Sequence, residues 1–437
     1  MKESPITKLL SKVFGSKARR SREPQPGGGE IEMTTFRKPY NKVRFISWEI
    51  HTGPKVLEPD KEVYEGISSR TGLDLRLDYL GQCLDIEARI QFTKEAILKA
   101  KQEVDKNDDT DTLKIFIAPE FLYRGAAGAY LHDMLDGWIS QAPEEFGLTG
   151  TRFAKNWQGL FGGLKQLVNN TDYKDWLFVF GTAISAFFYT RKDFLTGKWV
   201  MNPVVSDILN VSLIQLGGIG NENACYASRK HYMSYIDLVK WYEGQTSVFN
   251  MQNTRAAEPE SIIPDDILGI TEGGSVFNIP GVGGPTGKLI DFGIEICLDH
   301  QQSGGNRSNN FGRIKTSNQY VKIQLVPSGG AELKEASIRL QPDSDTGRSY
   351  AINCDGLNNL TTGGGSQTQI WNGPRRALNA LLETSLGGTN TIQGSRSISS
   401  VVETVPTTAI VNGINVAATE LWVKGSGNVR VVEALPL

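Results

Sequence analysis

The chain has 437 residues, of which 39% are hydrophobic and 22% are charged, a composition typical of a globular protein with a substantial buried core. Its net charge of −2 creates no overall field that would attract nucleic acid or an anionic membrane. No run approaches the ~18 consecutive apolar residues that a membrane-spanning helix needs. The sequence therefore predicts neither a nucleic-acid partner nor an integral membrane segment.

Residues 1–40 differ from the rest of the chain. Residues 1–22 contain seven Lys and Arg against one Glu, and their apolar residues recur at helical spacing. The run PQPGGGE at 24–30 reads as a flexible linker. We predict a basic, disordered tail over 1–40 and one domain with insertions over 41–437. The tail lacks the apolar core of a secretory signal, so we expect a cytoplasmic protein, with a targeting or secretion role for the tail left open.

Beyond the tail, strand patterns and helix patterns alternate, which indicates α/β layering. Period-two alternation or continuous apolar runs predict strands, and apolar residues at helical spacing predict helices. The predicted strands are 42–50, 113–118, 176–185, 209–216, 274–280, 287–296, 321–329, 350–356, 397–405, 408–418 and 429–435. The predicted helices are 75–104, 128–140, 157–169 and 374–384, and a loop is predicted at 255–269.

The strand at 287–296 ends on a cysteine with polar residues directly after it. Cys297 is followed by Leu298, Asp299 and His300. A thiol held at the end of a rigid strand and next to an open loop is suited to nucleophilic catalysis. Taken alone, a cysteine in such a run is more often a small apolar filler of the core.

Two further segments carry charged groups next to apolar runs. Glu120 ends the strand that begins at Leu113, and burial there would raise its pKa toward the range of a general base. Lys230 lies in the segment CYASRKHYMSYID at 225–237, where an ammonium can stabilise an oxyanion. A solvated Glu at a strand exit and a solvated basic cluster are the structural alternatives.

Cysteine and histidine spacing argues against metal and disulfide sites. The four cysteines lack CxxC spacing, and the four histidines form no paired metal-binding motif. We therefore predict no metal and no cofactor, and a reducing compartment in which a thiol nucleophile stays reduced.

Taken together, these segments resemble the nitrilase, or carbon–nitrogen hydrolase, superfamily. The match is carried by a Glu ending an early strand, a Lys in an RK-x-H-like run and a Cys closing an ICxD strand, in that order. Glu272, shortly before a Pro-Gly turn, matches the family's fourth position. The supporting segments are KVRFISWEI (42–50), WLFVFGTAIS (176–185), YAINCDG (350–356) and GGGSQTQIWNG (363–373).

The resemblance implies a four-layer α-β-β-α sandwich and a homodimer or larger homo-oligomer. It also implies that Cys297 is the nucleophile, Glu120 the general base and Lys230 the oxyanion stabiliser, with Glu272 holding Lys230 and the substrate. The substrate would be a small-molecule amide or nitrile, with amide favoured. The predicted substrate-binding residues are Phe121, Tyr123, His231, Leu298 and Asp299.

The chain departs from the family after the cysteine. An Arg-Phe-Pro-Glu-like helix start is expected there, whereas residues 301–313 are rich in Gly and Asn. Two other functions stay open from the sequence. One is a papain-like hydrolase that pairs Cys297 with His231 or His300. The other is a catalytically inactive binding or scaffold protein on the same fold.

Overall fold

A computed structural model describes residues 39–58, 61–69, 75–107, 110–187, 190–201, 206–234, 236–237, 254–256, 274–342, 348–357, 368–372, 381–385, 388–390 and 398–437. Within them the chain is mixed α/β, with several sheets and few helices, which confirms the predicted α/β class. No helix in this part of the chain is both long and apolar enough to cross a bilayer. Most of the predicted tail, residues 1–38, lies outside the described residues.

The strands, numbered in chain order, are β1 (Lys42–Glu49), β2 (Lys55–Glu58), β3 (Lys61–Val63), β4 (Thr112–Ile117), β5 (Tyr130–Leu131), β6 (Trp138–Gln141), β7 (Lys155–Trp157), β8 (Trp176–Val179), β9 (Ala183–Phe187), β10 (Thr190–Lys192), β11 (Trp199–Met201), β12 (Ser206–Leu216), β13 (Cys225–Arg229), β14 (Thr254–Ala256), β15 (Val276–Phe277), β16 (Phe292–Ile294), β17 (Ile323–Ser328), β18 (Tyr350–Asp355), β19 (Thr368–Asn372), β20 (Leu381–Ser385), β21 (Gly388–Asn390), β22 (Ser400–Thr404), β23 (Thr408–Val411), β24 (Ile414–Ala417), β25 (Asn428–Val432) and β26 (Leu435–Pro436). The α-helices are α1 (Tyr79–Val104), α2 (Asp133–Asp136), α3 (Gly159–Val168), α4 (Leu298–Gln301) and α5 (Arg313–Thr316).

Two large sheets contain most of these strands. The first has the order β22-β25-β1-β4-β8-β12-β9-β5, with β13 and β14 beside β12 and β26 beside β1. The second has the order β15-β16-β17-β18-β19-β20-β21. Strands β1, β4 and β8 are parallel, and so are β16, β17 and β18. Each sheet therefore has a parallel centre whose carboxyl ends lie at one edge.

The two sheets share an apolar core. The rings of Phe45 in β1 and Tyr350 in β18 meet edge to face at 5.7 Å. The Cys354 thiol donates to the Trp48 carbonyl across 3.5 Å. Apolar side chains of both sheets belong to one buried cluster, which includes Ile115, Val179, Ile294, Leu325 and Ile352. Side chains on the inner face of each sheet, which are alternate residues of each strand, fill this core.

Helices cover the other faces of the sheets. Buried side chains of α1 and α3 join those of the first sheet in a second cluster, which includes Phe92, Ile97, Phe116, Leu164 and Phe178. Asp78 caps α1 by accepting a hydrogen bond from the Gly81 N–H at 3.0 Å. Beyond the second sheet, Ile314 of α5 packs with Val321, Ile338 and Trp371 in a smaller cluster.

The helix predicted at 128–140 is mostly wrong. The chain there forms the short strands β5 and β6 with a single helical turn, α2, between them. Gly137 ends that turn with a φ of 65°, and a Cβ at this position would lie 2.1 Å from the Trp157 carbonyl oxygen. The chain leaves the helical conformation at Gly137, and Trp138 then pairs with Trp157 of β7. The predicted helix at 157–169 is confirmed as α3.

The helix predicted at 374–384 is wrong where the structure describes it. Residues Leu381–Ser385 form β20, which pairs antiparallel with β19. Residues 374–380 lie outside the described part of the chain. Pairing with the edge of the second sheet has overridden a local sequence rich in helix formers.

The strand predicted at 176–185 contains an interruption. Val179 of β8 pairs with Ile214, whereas Ala183 of β9 pairs with Val211, so one extra residue lies on the β8–β9 side. This is the geometry of a β-bulge. Gly181 lies in the bulge with a φ of 69°. A Cβ on this glycine would lie 2.2 Å from the Pro119 carbonyl oxygen, so the bulge is next to the segment that follows β4.

Candidate active site

The candidate site lies where strands of the two large sheets end close together. Glu120 follows β4 of the first sheet, Cys297 follows β16 of the second, and Gly329 follows β17. The Glu120 N–H donates to the Ser328 carbonyl across 3.2 Å, which joins the two strand ends directly. A site at strand ends is held by rigid structure and still borders loops.

Glu120 is fully buried and accepts hydrogen bonds on one oxygen. Its Oε1 accepts one hydrogen bond from Lys230 Nζ and one from Asn210 Nδ2, each at 2.7 Å. Among the described residues, no nitrogen or oxygen donor reaches its Oε2. Burial raises the pKa of Glu120 to about 7, the charge of Asp237 adds to this, and the Lys230 ammonium opposes it. A carboxyl group with this pKa can take up and release a proton near neutral pH.

Lys230 is a fully buried ammonium held by two carboxylates. It directly follows β13, and its N–H donates to the Asn210 carbonyl at 2.8 Å. Nζ lies 2.7 Å from Glu120 Oε1 and 2.7 Å from Asp237 Oδ2. Although burial alone would lower it, the charges of Asp237 and Glu120 hold the pKa of Lys230 above its ordinary value. The side chain therefore stays cationic inside the protein.

Cys297 directly precedes α4 in an unusual backbone conformation. Its φ of 49° and ψ of −102° belong to a region that residues with a side chain rarely occupy. Its N–H donates to the Pro327 carbonyl at 3.0 Å, and Sγ lies 3.9 Å from the Gly329 carbonyl oxygen. The neighbouring strand β17 thus fixes both the backbone and the thiol of this residue.

The Cys297 thiol is protonated at rest. Burial raises its pKa well above the ordinary value, the charge of Glu120 adds to this, and the Lys230 ammonium opposes it. Only 7% of the residue is exposed. Because a thiolate and not a thiol is the nucleophile, this cysteine needs a base at the moment of attack. Glu120 interacts with this thiol and has a pKa near neutral, so its carboxyl group is a candidate for that base.

Phe121 has the left-handed backbone conformation, with a φ of 64°. Its N–H donates to Thr182 Oγ1 in the β-bulge at 2.9 Å. Its ring centroid lies 5.6 Å from Lys230 Nζ. A Cβ on Gly329 would lie 2.6 Å from the same ring. Phe121 therefore forms an aromatic wall beside the ammonium. Its predicted role in substrate binding stays a prediction.

Asp299 ties the lysine segment to the cysteine segment. Its carboxylate accepts the N–H groups of His231 and Tyr232, with the shortest contact at 2.8 Å, and Arg313 Nη1 at 3.2 Å. Burial raises the pKa of Asp299 to about 6, against the opposing charge of Arg313. Arg313 Nη2 also donates to the His231 ring at 3.0 Å. Asp299 and His231, both predicted to bind substrate, thus contact each other. Asp299 fixes the backbone next to Lys230.

His300 does not face the thiol. Its Nε2 accepts the Lys334 N–H at 2.9 Å, so the ring proton is on Nδ1 and is donated to Glu295 Oε2 at 2.6 Å. Glu295 also accepts Gln324 Nε2 and the Ile314 N–H, each at 2.8 Å. Both ring nitrogens of His300 are therefore engaged in positioning α4 against the second sheet.

The remaining predicted residues have different placements. The Tyr123 hydroxyl pairs with Thr93 Oγ1 of α1 at 2.9 Å, so its side chain lies in the core between the first sheet and the helix. Leu298 begins α4, where a backbone N–H has no partner within the helix. Glu272 lies outside the described residues.

Sequence reasoning missed two residues that contact the charged groups. Asn210, in the middle of β12, bridges Glu120 and Asp237 through Nδ2. Asp237 is the last residue of the segment that contains Lys230, but no role was predicted for it. An amide between the apolar residues Leu209 and Val211 and an acid at the end of the lysine segment were the available signals. Neither has a spacing that specifies a contact across the fold.

Comparison with known proteins adds no identification. No protein-family model matches the chain, and no curated protein matches it. Within the described residues, no group of three or more His, Cys, Asp or Glu side chains is arranged to hold a metal ion. The chemical interpretation of the site therefore depends on its own geometry.

Proposed function

We propose that this chain is a nitrilase-type hydrolase that cleaves a non-peptide carbon–nitrogen bond through a thioester on Cys297. The observation that carries the proposal is the buried meeting of a carboxyl group, an ammonium and a thiol at adjoining strand ends. Glu120 and Lys230 are in contact at 2.7 Å, and both interact electrostatically with Cys297. Isolating these charges from water is unfavourable unless they are paired, and their convergence at one point is typical of catalytic sites.

In the proposed reaction, the Cys297 sulfur attacks the amide carbonyl carbon while its proton passes to Glu120. The Lys230 ammonium and the Leu298 N–H stabilise the oxyanion. The carbon–nitrogen bond then breaks, and Glu120 returns the proton to the departing ammonia or amine. Water attacks the thioester and gives its proton to Glu120, and the thiol is regenerated as the carboxylic acid leaves.

The layering is compatible with the four-layer α-β-β-α sandwich of this superfamily. Helices α1 and α3 pack on the outer face of the first sheet, the two sheets share a core, and α5 packs outside the second. Arg313, which begins α5, also reaches Asp299. We propose that it replaces the arginine that the family places closer to the cysteine.

The proposed substrate is a small-molecule amide, with a nitrile or an N-carbamoyl compound as the next choices. A homodimer remains part of the prediction. A papain-like mechanism receives less support, since His300 uses both ring nitrogens elsewhere and the His231 ring accepts a hydrogen bond from Arg313. The raised pKa of the Cys297 thiol also argues against a preformed thiolate–imidazolium pair.

The test is mass spectrometry of the intact chain after exposure to a panel of amides and nitriles. We expect an acyl adduct on Cys297 and turnover of at least one compound. Cys297→Ala and Glu120→Gln should each lower turnover by more than ~1,000-fold, because they remove the nucleophile and its base. Cys225→Ser, which changes a half-buried thiol outside the site, should retain turnover.

Circular dichroism must show that all three variants are folded. Turnover by folded Cys297→Ala at the parent rate would rule out the mechanism. A complete absence of adduct and turnover across amides, nitriles and N-carbamoyl compounds would instead favour a binding protein.

A further inference from the structure

Asp237 is the most fully hydrogen-bonded acid next to Lys230. Its Oδ2 accepts Lys230 Nζ, the Ser234 N–H and the Ser234 hydroxyl, each at 2.7 Å. Its Oδ1 accepts Asn210 Nδ2 at 2.7 Å. The side chain is fully buried. Four donors on both oxygens stabilise the ionised form of this carboxyl group.

Glu120 contacts the same lysine in a less polar environment. Its two nitrogen donors both reach Oε1, and no nitrogen or oxygen donor in the described part of the chain reaches Oε2. The two carboxyl groups are consequently unequal. Although burial alone would raise it, Lys230 holds the pKa of Asp237 below its ordinary value, whereas the pKa of Glu120 is raised to about 7. Neighbouring acids whose environments separate their pKa values divide into a fixed charge and a proton carrier.

The backbone of Asp237 is held by the loop that carries Glu120. Arg124, four residues after Glu120, donates from Nη2 to the carbonyls of Ile236 at 2.7 Å and Asp237 at 3.4 Å. Arg124 Nε donates to the Gly128 carbonyl at 2.6 Å, which fixes the guanidinium within its own loop. The positions of the two acids are therefore linked through the backbone as well as through Asn210 and Lys230.

We propose that Asp237 is the positioning residue that keeps Lys230 charged and in place during turnover, the role that the resemblance had assigned to Glu272. Asp237 remains ionised throughout the cycle, and Glu120 alone carries the proton. Asn210 links the two carboxyl groups by donating one N–H to each. This inference rests on the proposed hydrolase, because it assigns a role in that same site.

Two charges act on Glu120, the Lys230 ammonium and the Asp237 carboxylate, and the Cys297 thiol interacts with it as well. Lys230 and Asp237 follow β13, and the Cys297 thiol follows β16. Asp299, paired with Arg313, also interacts with Lys230. Removing the charge of Asp237 takes away a like charge that raises the pKa of Glu120. The pKa of Glu120 should then fall, and the Cys297 thiol should also ionise more readily, because Asp237 raises its pKa too.

The decisive variant is Asp237→Asn, which keeps the shape and removes the charge. The measurement is the rate of Cys297 alkylation by iodoacetamide between pH 5 and pH 9, followed by peptide mass spectrometry in a Cys225→Ser background. It needs no substrate. We expect the parent rate to rise with a midpoint near the pKa of Glu120, and the midpoint of Asp237→Asn to lie about 1 pH unit or more lower. Asp237→Glu should restore the midpoint, and the surface control Asp172→Asn should leave it unchanged.

A purely structural role would change the folded fraction, measured by circular dichroism, and leave the midpoint in place. An unshifted alkylation midpoint in folded Asp237→Asn would overturn the inference. If Glu272→Gln then lowered the midpoint instead, the positioning role would belong to Glu272. If Asp237→Asn does not fold, the alkylation midpoints of the parent and of Glu120→Gln are compared instead. We expect one midpoint in the parent and its loss in Glu120→Gln. A midpoint between pH 5 and pH 8 that survives Glu120→Gln would overturn the inference, because Glu120 would then not be the only proton carrier.

This experiment and the substrate panel can fail separately. Turnover with an unshifted alkylation midpoint would leave the hydrolase in place and overturn the role of Asp237. A shifted midpoint without turnover of any compound would support the charge arrangement and count against the hydrolase.

Discussion

Glu120 carries a pKa of about 7 in the folded protein against 4.5 for an ordinary Glu. Between these values the folded state keeps a proton that the unfolded state has released. The contribution of this group to stability is therefore fully present below about pH 4.5 and is lost as the pH rises through about 7. Asp299, with a pKa raised from 3.8 to about 6, contributes with the same sign over a lower window.

The free energy of unfolding should consequently fall between pH 5 and pH 8. Glu120→Gln should reduce that fall by on the order of 2 kcal/mol, because a neutral amide has no proton to lose. Urea denaturation at a series of pH values measures this. Glu144→Gln, at an exposed position, is the matched control and should follow the parent. A parent curve that is flat over this range would contradict the assignment of the raised pKa.

At the scale of elements, the β-bulge between β8 and β9 shapes the loop that carries Glu120. A Cβ at Gly181 would lie 2.2 Å from the Pro119 carbonyl oxygen, and Thr182 accepts the Phe121 N–H. The bulge thus contacts the residues on both sides of the proposed base. Its glycine is needed both for the positive φ and for the close approach.

Gly181→Ala should therefore impair the site as well as the fold. We expect a loss of more than ~1 kcal/mol in unfolding free energy, because the positive φ and the clash add, together with a changed rate of Cys297 alkylation. Gly147→Ala is the matched control, since Gly147 has a φ of 61° and nothing within 4 Å of an added Cβ. The free energy of unfolding of Gly147→Ala should fall by about 1 kcal/mol, and its Cys297 alkylation rate should equal that of the parent. Equal effects of the two variants on alkylation would show that the bulge does not position Glu120.

The sequence predicted well those elements whose own apolar pattern indicates that they are buried. Strands β1, β4 and β17 lie in the buried centre of a sheet, so apolar runs mark them at nearly the observed positions. Strand β20 could not be recognised, because its local preference is helical and only its pairing with β19 makes it a strand. The strand predicted at 408–418 is a hairpin of β23 and β24. Asn412 and Gly413 form its tight turn, and both have a positive φ.

The same distinction applies to the candidate site. Glu120, Lys230 and Cys297 were recognisable because each lies in a motif of adjacent residues. Asn210 and Asp237 join them only through the folded chain, where β12 places the amide between the two acids. A single sequence contains no local signal for such a contact.

At the scale of the whole molecule, a buried cluster of four polar side chains links the two large sheets. Arg430 of β25 donates to both oxygens of Glu49 at 2.7 and 3.2 Å. Thr368 of the second sheet donates to Glu49 at 2.6 Å and lies 2.6 Å from Ser47 Oγ. Charges buried in this way are costly to separate from their partners. We expect this cluster to specify how the sheets align.

Arg430→Met should lower the free energy of unfolding by about 3–5 kcal/mol, because it leaves the Glu49 carboxylate buried without its cation. Combining it with Glu49→Gln should recover part of this loss, so the two effects will not add. Urea denaturation of the parent, both single variants and the double variant gives the coupling energy. Simple additivity would show that the two side chains act independently of each other.

The protonated state of the Cys297 thiol affects how the protein withstands oxidants. Peroxide attacks thiolates, so a cysteine whose pKa is raised by burial is a poor target for sulfenic acid formation. Reactivity appears only when a bound electrophile draws the proton toward Glu120. An idle molecule should thus keep its sulfur reduced through an oxidative burst that would inactivate enzymes with a permanently ionised cysteine.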